Sequence, residues 1–267
     1  MREDTDPHGD VPLSGGRMTD GVTRRGHEVR RPMGPWSPAV HELLRHLEAV
    51  GFGGAPRVLG TEGDTEVLSF LEGEVASDPE WEPGRGARLP SCARSEESLA
   101  ATGRLLARLH RAVGGFVPSE TGYRFRPHPP GRKQIVSHGD LGPWNTVYRG
   151  DLPVAFIDWD AAGPVEPVTE LAAAAWAFLP IARPGQLRES GFDPLPDLAS
   201  RLRILVDAYG LTDRPAILPA LRRAKLAQAG QVADWPIGPA DSAVSLEFYA
   251  AELRLLEELL PEFERAL

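Results

Sequence analysis

Residues 138–145 read His138-Gly139-Asp140-Leu141-Gly142-Pro143-Trp144-Asn145, and residues 157–160 read Ile157-Asp158-Trp159-Asp160. Asp140 follows the β-like run that starts at Gln134, and Gly142-Pro143 forces a tight loop before Asn145. Asn145 opens a second β-rich run that turns at Gly150-Asp151, a hairpin signal. The hairpin returns the chain and sets Asp158 beside Asn145 on one edge. An amide oxygen and a carboxylate converging there suit a hard cation such as Mg²⁺, with water and phosphate oxygens filling its shell. Asp140 is then left to orient a hydroxyl nucleophile and accept its proton. An Asx-rich turn that merely stabilised the hairpin would leave the joint spacing of the three residues unexplained. A glycosidase pairing of Asp158 with Asp160 accounts for neither Asn145 nor Asp140.

Outward from this segment, strands cluster early and helices late. VPLSGG (11–16), GVTRR (21–25) and EVRRP (28–32) read as three short strands. Ser37-Pro38 then caps a helix with Val40, Leu43, Leu44, Leu47 and Val50 at helical spacing, stopped at Gly51. RVLG and TEVLSFLEG add two strands around Glu62-Gly63-Asp64. Residues 1–11 read as a disordered tail, 12–75 as the N-terminal nucleotide-binding lobe and 76–97 as a linker or mobile loop. Residues 98–267 form the C-terminal lobe, which carries catalysis and the acceptor. A helix begins near Ser98, 114–133 is irregular, and helices are expected near 169–182, 197–209, 215–232 and 242–260, with Pro261 at the end of the last. The fold class is α+β with two lobes.

Composition bounds the function. The 267 residues carry a formal charge of −9, which argues against a nucleic-acid partner and sits well with a cationic small molecule. Cys92 is the only cysteine, so neither an internal disulfide nor a Cys-based zinc site can form. The N-terminus lacks the apolar core of a secretory signal, and the longest mostly apolar run, 171–182, is too short to span a bilayer, so no membrane association and a cytoplasmic location are expected. Of the 29 basic residues only Lys133 and Lys225 are lysines. The oligomeric state is not readable.

HGD-x4-N followed across a hairpin by IDWDAA resembles the aminoglycoside phosphotransferase family of kinase-like small-molecule kinases. LLARLH at 105–110 and TELAAAAW at 169–176 agree with it, with Glu170 where Asp is more usual, and the resemblance covers roughly residues 11–235. It implies a bilobal protein-kinase-like fold, ATP (or GTP) with Mg²⁺, and transfer of the γ-phosphate to a hydroxyl of a small molecule, aminoglycoside-like or another amino or hydroxy compound. It also implies that His138 packs and bonds the loop backbone, that His110 is a core or lobe-interface histidine, and that Glu170 supports the loop from below.

On the nucleotide side, the family's third strand normally carries a phosphate-positioning lysine partnered by a helix glutamate. The first lobe has no lysine and offers Arg30 and Arg31, which point to opposite faces. Arg30 is expected in the cleft with Arg31 as fallback, and Glu42 is the nearest helix acid. Gly15-Gly16 would be a short phosphate loop, and Ser69, Phe70 and Leu71 the hinge that offers backbone groups to a purine. The acceptor would lie over the helical lobe, where Asp234 and Asp241 flank a Trp-Pro-Ile-Gly-Pro loop. Asp160, between a supporting place at the metal and a solvated hairpin exit, is grouped with them. The lysine-free lobe keeps open an alternative: a catalytically weak pseudokinase or a nucleotide-binding regulatory or immunity module.

Overall fold

The computed structural model describes residues 10–13, 21–78, 82, 88–232 and 238–267. The small lobe is an antiparallel sheet of β1 (Val11–Pro12), β2 (Thr23–Arg25), β3 (Glu28–Pro32), β4 (Val58–Glu62) and β5 (Thr65–Ser69), in the order β1-β2-β3-β5-β4. Val11, assigned to the tail on sequence grounds, already pairs with Arg24. Between β3 and β4 runs α1 (Ser37–Ala49), which buries Ala39, Val40, Leu43, Leu44 and Leu47. Those positions are the apolar stripe that the sequence spaces at three and four residues.

After β6 (Glu74–Val75) come α2 (Ser91–Arg94) and α3 (Glu96–Val113). The segment expected as linker, 76–97, thus contains a helical turn near its end, and its residues 79–81 and 83–87 lie outside the described residues. α3 starts two residues before its expected position because the Ser95 hydroxyl accepts the Ser98 N–H at 3.0 Å and caps it. The hairpin is β8 (Thr146–Arg149) and β9 (Leu152–Phe156), joined by β6 into a three-stranded sheet. The strand before the loop, β7 (Ile135–Ser137), pairs antiparallel with β10 (Gly163–Val165). Both ends of the 138–162 segment are therefore anchored to one ribbon.

The rest is helical: α4 (Pro167–Phe178), α5 (Pro184–Glu189), α6 (Leu198–Tyr209), α7 (Ile217–Gln231) and α8 (Pro239–Ala266). α5 has only six residues and shows no period in the sequence. α8 continues through Pro261 instead of ending there. Proline forfeits one intrahelical hydrogen bond, but Phe263, fully buried beyond it, holds the last turn on the core. α3 and α6 pack closely at Gly103, where an added Cβ would lie 2.8 Å from the Leu205 carbonyl oxygen. One apolar core runs from α1 through α3, α4, α6 and α7 to α8, so both lobes share it.

Candidate active site

The loop between β7 and the hairpin gathers the polar side chains. Asn145 lies in a 3-10 turn (Pro143–Asn145), and its carbonyl accepts the Ile157 N–H at 2.9 Å, tying the two quoted stretches together. The Asn145 amide nitrogen donates to both the carbonyl oxygen and Oδ2 of Asp140, each at 2.9 Å. Its amide oxygen is thereby the end of the side chain turned away from Asp140. Asp158 has φ 60° and ψ 70° and is the only non-glycine residue with positive φ among the described residues. Such strain persists where the surroundings over-determine it, as at functional sites.

His138 is fully buried, donates from Nε2 to the Ile157 carbonyl at 2.9 Å, and packs against Phe156 and Trp159. Its Nδ1 faces the Asp140 N–H at 3.3 Å. It holds the loop and does not reach a reacting group. Gly139 has φ +82°, and an added Cβ would stand 2.1 Å from the Ala161 carbonyl oxygen. Its N–H donates to Glu170 Oε1 at 2.7 Å, while Glu170 Oε2 accepts from His110 Nε2 at 2.6 Å and His110 Nδ1 meets the Tyr209 hydroxyl at 2.7 Å. Burial works against the Glu170 charge, but hydrogen bonds from His110, Ser137 and Gly139 win and hold its pKa at about 2. This chain fastens the loop to α4, α3 and α6.

Protein packed around the Asp140 carboxyl raises its pKa above the ordinary carboxylate value, and the Asp158 charge adds to the rise. His138 and side-chain hydrogen bonds from Trp144 and Asn145 oppose it without cancelling it. The side chain still reaches solvent, so a hydroxyl can approach it.

The arginine expected in the cleft is the wrong one of the two. Arg30 turns to the other face of β3, where it pairs with Glu28 at 3.2 Å and with Glu62. Arg31 is buried and crosses to the large lobe, with Nη1 3.2 Å from Asp158 Oδ1 and Nη2 bonded to Asp160. The reason is register: Arg31 pairs across the strands with Glu66 of β5, and that face looks inward. Burial opposes the Arg31 charge, but Asp160, Asp158 and Glu66 outweigh it and hold its pKa above the usual value.

Asp160 is not a solvated hairpin exit and does not stand with an acceptor face. The 3-10 turn Trp159–Ala161 folds it inward, where it is buried beneath Arg31 and lies 3.7 Å from Arg124 Nη1. Arg124 stacks on Trp36 with 4.2 Å from its guanidinium carbon to the ring, and Arg126 donates to the Ala161 carbonyl at 2.9 Å. Sequence reasoning passed over both arginines because the 114–133 stretch has no period; the alternation Tyr123-Arg124-Phe125-Arg126 was the available signal.

The other expected positions are less convergent. Gly15, Gly16 and Asp234 lie outside the described residues. Ser69 and Phe70 spend their N–H groups inside the small lobe, on the carbonyls of Arg57 (2.9 Å) and His27 (2.7 Å), so neither N–H is free for a purine. Asp241 is exposed on the first turn of α8. Glu42 does not face the arginine; it accepts from the N–H groups of Ser119 (2.9 Å) and Glu120 (2.9 Å).

Among the described residues no group of three or more His, Cys, Asp or Glu side chains forms a metal cage. Asn145 and Asp158 are the residues that would hold a cation here, and their amide and carboxylate oxygens are hard donors of the kind Mg²⁺ takes beside phosphate and water.

The "Phosphotransferase enzyme family" model matches residues 123–201, from the arginine-bearing segment through the loop and hairpin into α6. The trifolitoxin immunity protein of Rhizobium leguminosarum bv. trifolii is 40% identical over 209 residues, 76% of this chain and 75% of that one. The chain belongs to the phosphotransferase enzyme family. Solved phosphotransferases share its bilobal fold. Aminoglycoside phosphotransferase APH(3'')-Id of Streptomyces rimosus, in complex with ADP and streptomycin, superposes with TM-score 0.52 at 19% identity, covering 82% of this chain and 92% of that one. Macrolide 2'-phosphotransferase MphH of Brachybacterium faecium gives 0.54 at 14% identity, covering 88% and 87%.

Proposed function

We propose that the protein is an ATP-dependent phosphotransferase that moves the γ-phosphate to a hydroxyl of a small molecule. The observation that carries this reading is the meeting of Asp140, Asn145 and Asp158 with Arg31 from the opposite lobe at one cleft. Asp140 orients the acceptor hydroxyl. As its oxygen bonds to the γ-phosphorus and the bond to the leaving ADP breaks, the hydroxyl proton passes to the Asp140 carboxylate, whose raised pKa favours receiving it. Asn145 and Asp158 would hold Mg²⁺, which supplies charge neutralisation for the phosphates. Arg31, with Nη1 3.2 Å from Asp158 Oδ1, brings a guanidinium charge to the same place, where it would balance phosphate charge.

The structural relative from Streptomyces rimosus, solved with ADP and streptomycin, supports the nucleotide and a hydroxyl-bearing acceptor. The name of the trifolitoxin immunity protein supports an acceptor that is toxic to the cell, with phosphorylation as the means of immunity. The test is ATP consumption with Mg²⁺ in the presence of amino-sugars, macrolides, amino alcohols and trifolitoxin. Acceptor-dependent turnover that Asp140→Ala lowers by about 10²–10⁴-fold is expected. Turnover unaffected by that substitution would sink the assignment. Tight nucleotide binding without turnover would favour a regulatory immunity module instead.

A further inference from the structure

An arginine in place of the phosphate-positioning lysine creates a geometric demand. Lysine presents three rotatable donors at a point, whereas arginine presents five N–H groups in a fixed plane. Two Arg31 nitrogens face Asp158 and Asp160 across the cleft. The Nε side faces back into the small lobe, where the buried positive charge calls for a carboxylate partner.

Helix α1 does not provide it. Its Glu42 is committed to Ser119 and Glu120, and Glu48 lies near the surface, 4.0 Å from Arg57. The α1 side chain that reaches the sheet is His41, which is buried and carries no carboxylate. The acid comes from the sheet. Glu66 is 3% exposed, and its Oε1 stands 2.9 Å from Arg31 Nε. Its Oε2 accepts the hydrogen bond of His41 Nε2.

We propose that Glu66 is the positioning residue for Arg31, doing from strand β5 what a helix glutamate does for the lysine of other kinase-like lobes, with His41 linking that carboxylate to α1. This rests on the phosphotransferase reading of the cleft. Burying a carboxylate is costly, and an apolar residue of similar volume would often be the more stable choice. Glu66 spends both oxygens within this one network. Paired by charge with Glu66 on one side and with Asp158 and Asp160 on the other, the guanidinium is held in one orientation, with Nη1 beside Asp158. His41 makes that orientation dependent on where α1 sits.

The experiment is a double-mutant cycle read by MgATP affinity, with thermal melts of each variant alongside. Glu66→Gln should weaken MgATP binding by about tenfold in the wild-type background and leave it within about twofold in the Arg31→Met background. Should Glu66→Gln fail to fold, His41→Leu is the second variant, and a few-fold weakening that also vanishes with Arg31→Met is expected. Independent, additive effects of positions 66 and 31 overturn the proposal while wild-type binding preserves the phosphotransferase reading. Absence of MgATP binding to the wild-type protein overturns both.

Discussion

Arg31 sits among three carboxylates, and that arrangement separates it from its neighbour. Glu66, Asp158 and Asp160 surround its guanidinium, whereas Arg30 meets Glu28 and Glu62, both well exposed. Surface pairs of the second kind contribute little, because water and salt screen them. Arg31→Ala is therefore expected to cost on the order of 2–4 kcal/mol in kcat/KM for phosphate transfer, the scale of removing a preorganised charge stabiliser. Arg30→Ala should stay within about 0.5 kcal/mol. Steady-state kinetics of the two variants checks the ranking, and equal losses would mean that the face of β3 does not decide the role.

At the scale of elements, the loop that carries Asp140 is held from beneath by Glu170 of α4, with His110 of α3 and Tyr209 of α6 behind it. The Glu170 pKa falls from 4.5 unfolded to about 2 folded. A carboxylate depressed on folding stabilises the protein above its unfolded pKa, and that contribution is lost as pH falls through the folded value. The window is thus from about pH 4.5 down to about 2, over a contribution on the order of 3 kcal/mol. Denaturant unfolding of wild type and Glu170→Gln should show a gap at pH 6 that narrows steadily below pH 4.5. A gap constant with pH would mean that the carboxylate charge contributes nothing to holding the loop.

Across the whole molecule, Arg31 is a bridge, since it belongs to the small-lobe sheet and contacts two aspartates of the large lobe. A ligand that binds between Asp158 and Arg31 should stabilise both lobes together. MgATP at about 100 times its Kd is expected to add about 2.7 kcal/mol to the unfolding free energy of the wild type. Asp158→Ala should remove that increment while the ligand-free melting temperature changes little, because Arg31 retains Glu66 and Asp160. A ligand-free protein that loses its fold on this substitution would make Asp158 a structural residue.

The two lobes, the early strands and late helices, and the loop-and-hairpin segment from His138 to Asp160 are legible in the sequence alone, whereas the short elements α2 and α5 are not. The legible features depend on local period, on turn residues such as Gly142-Pro143 and Gly150-Asp151, and on spacings short enough for the chain to close on itself. Local pattern also required Arg30 and Arg31 to face opposite ways. Which of them faces inward was decided only by the tertiary structure, because the phase of β3 is set by its register with β5, more than thirty residues along the chain. The same holds for Glu66, Arg124 and the buried Asp160: each gains its partners through long-range packing, and nothing in their sequence neighbourhood distinguishes a charge that will be buried and paired from one that will stay in water.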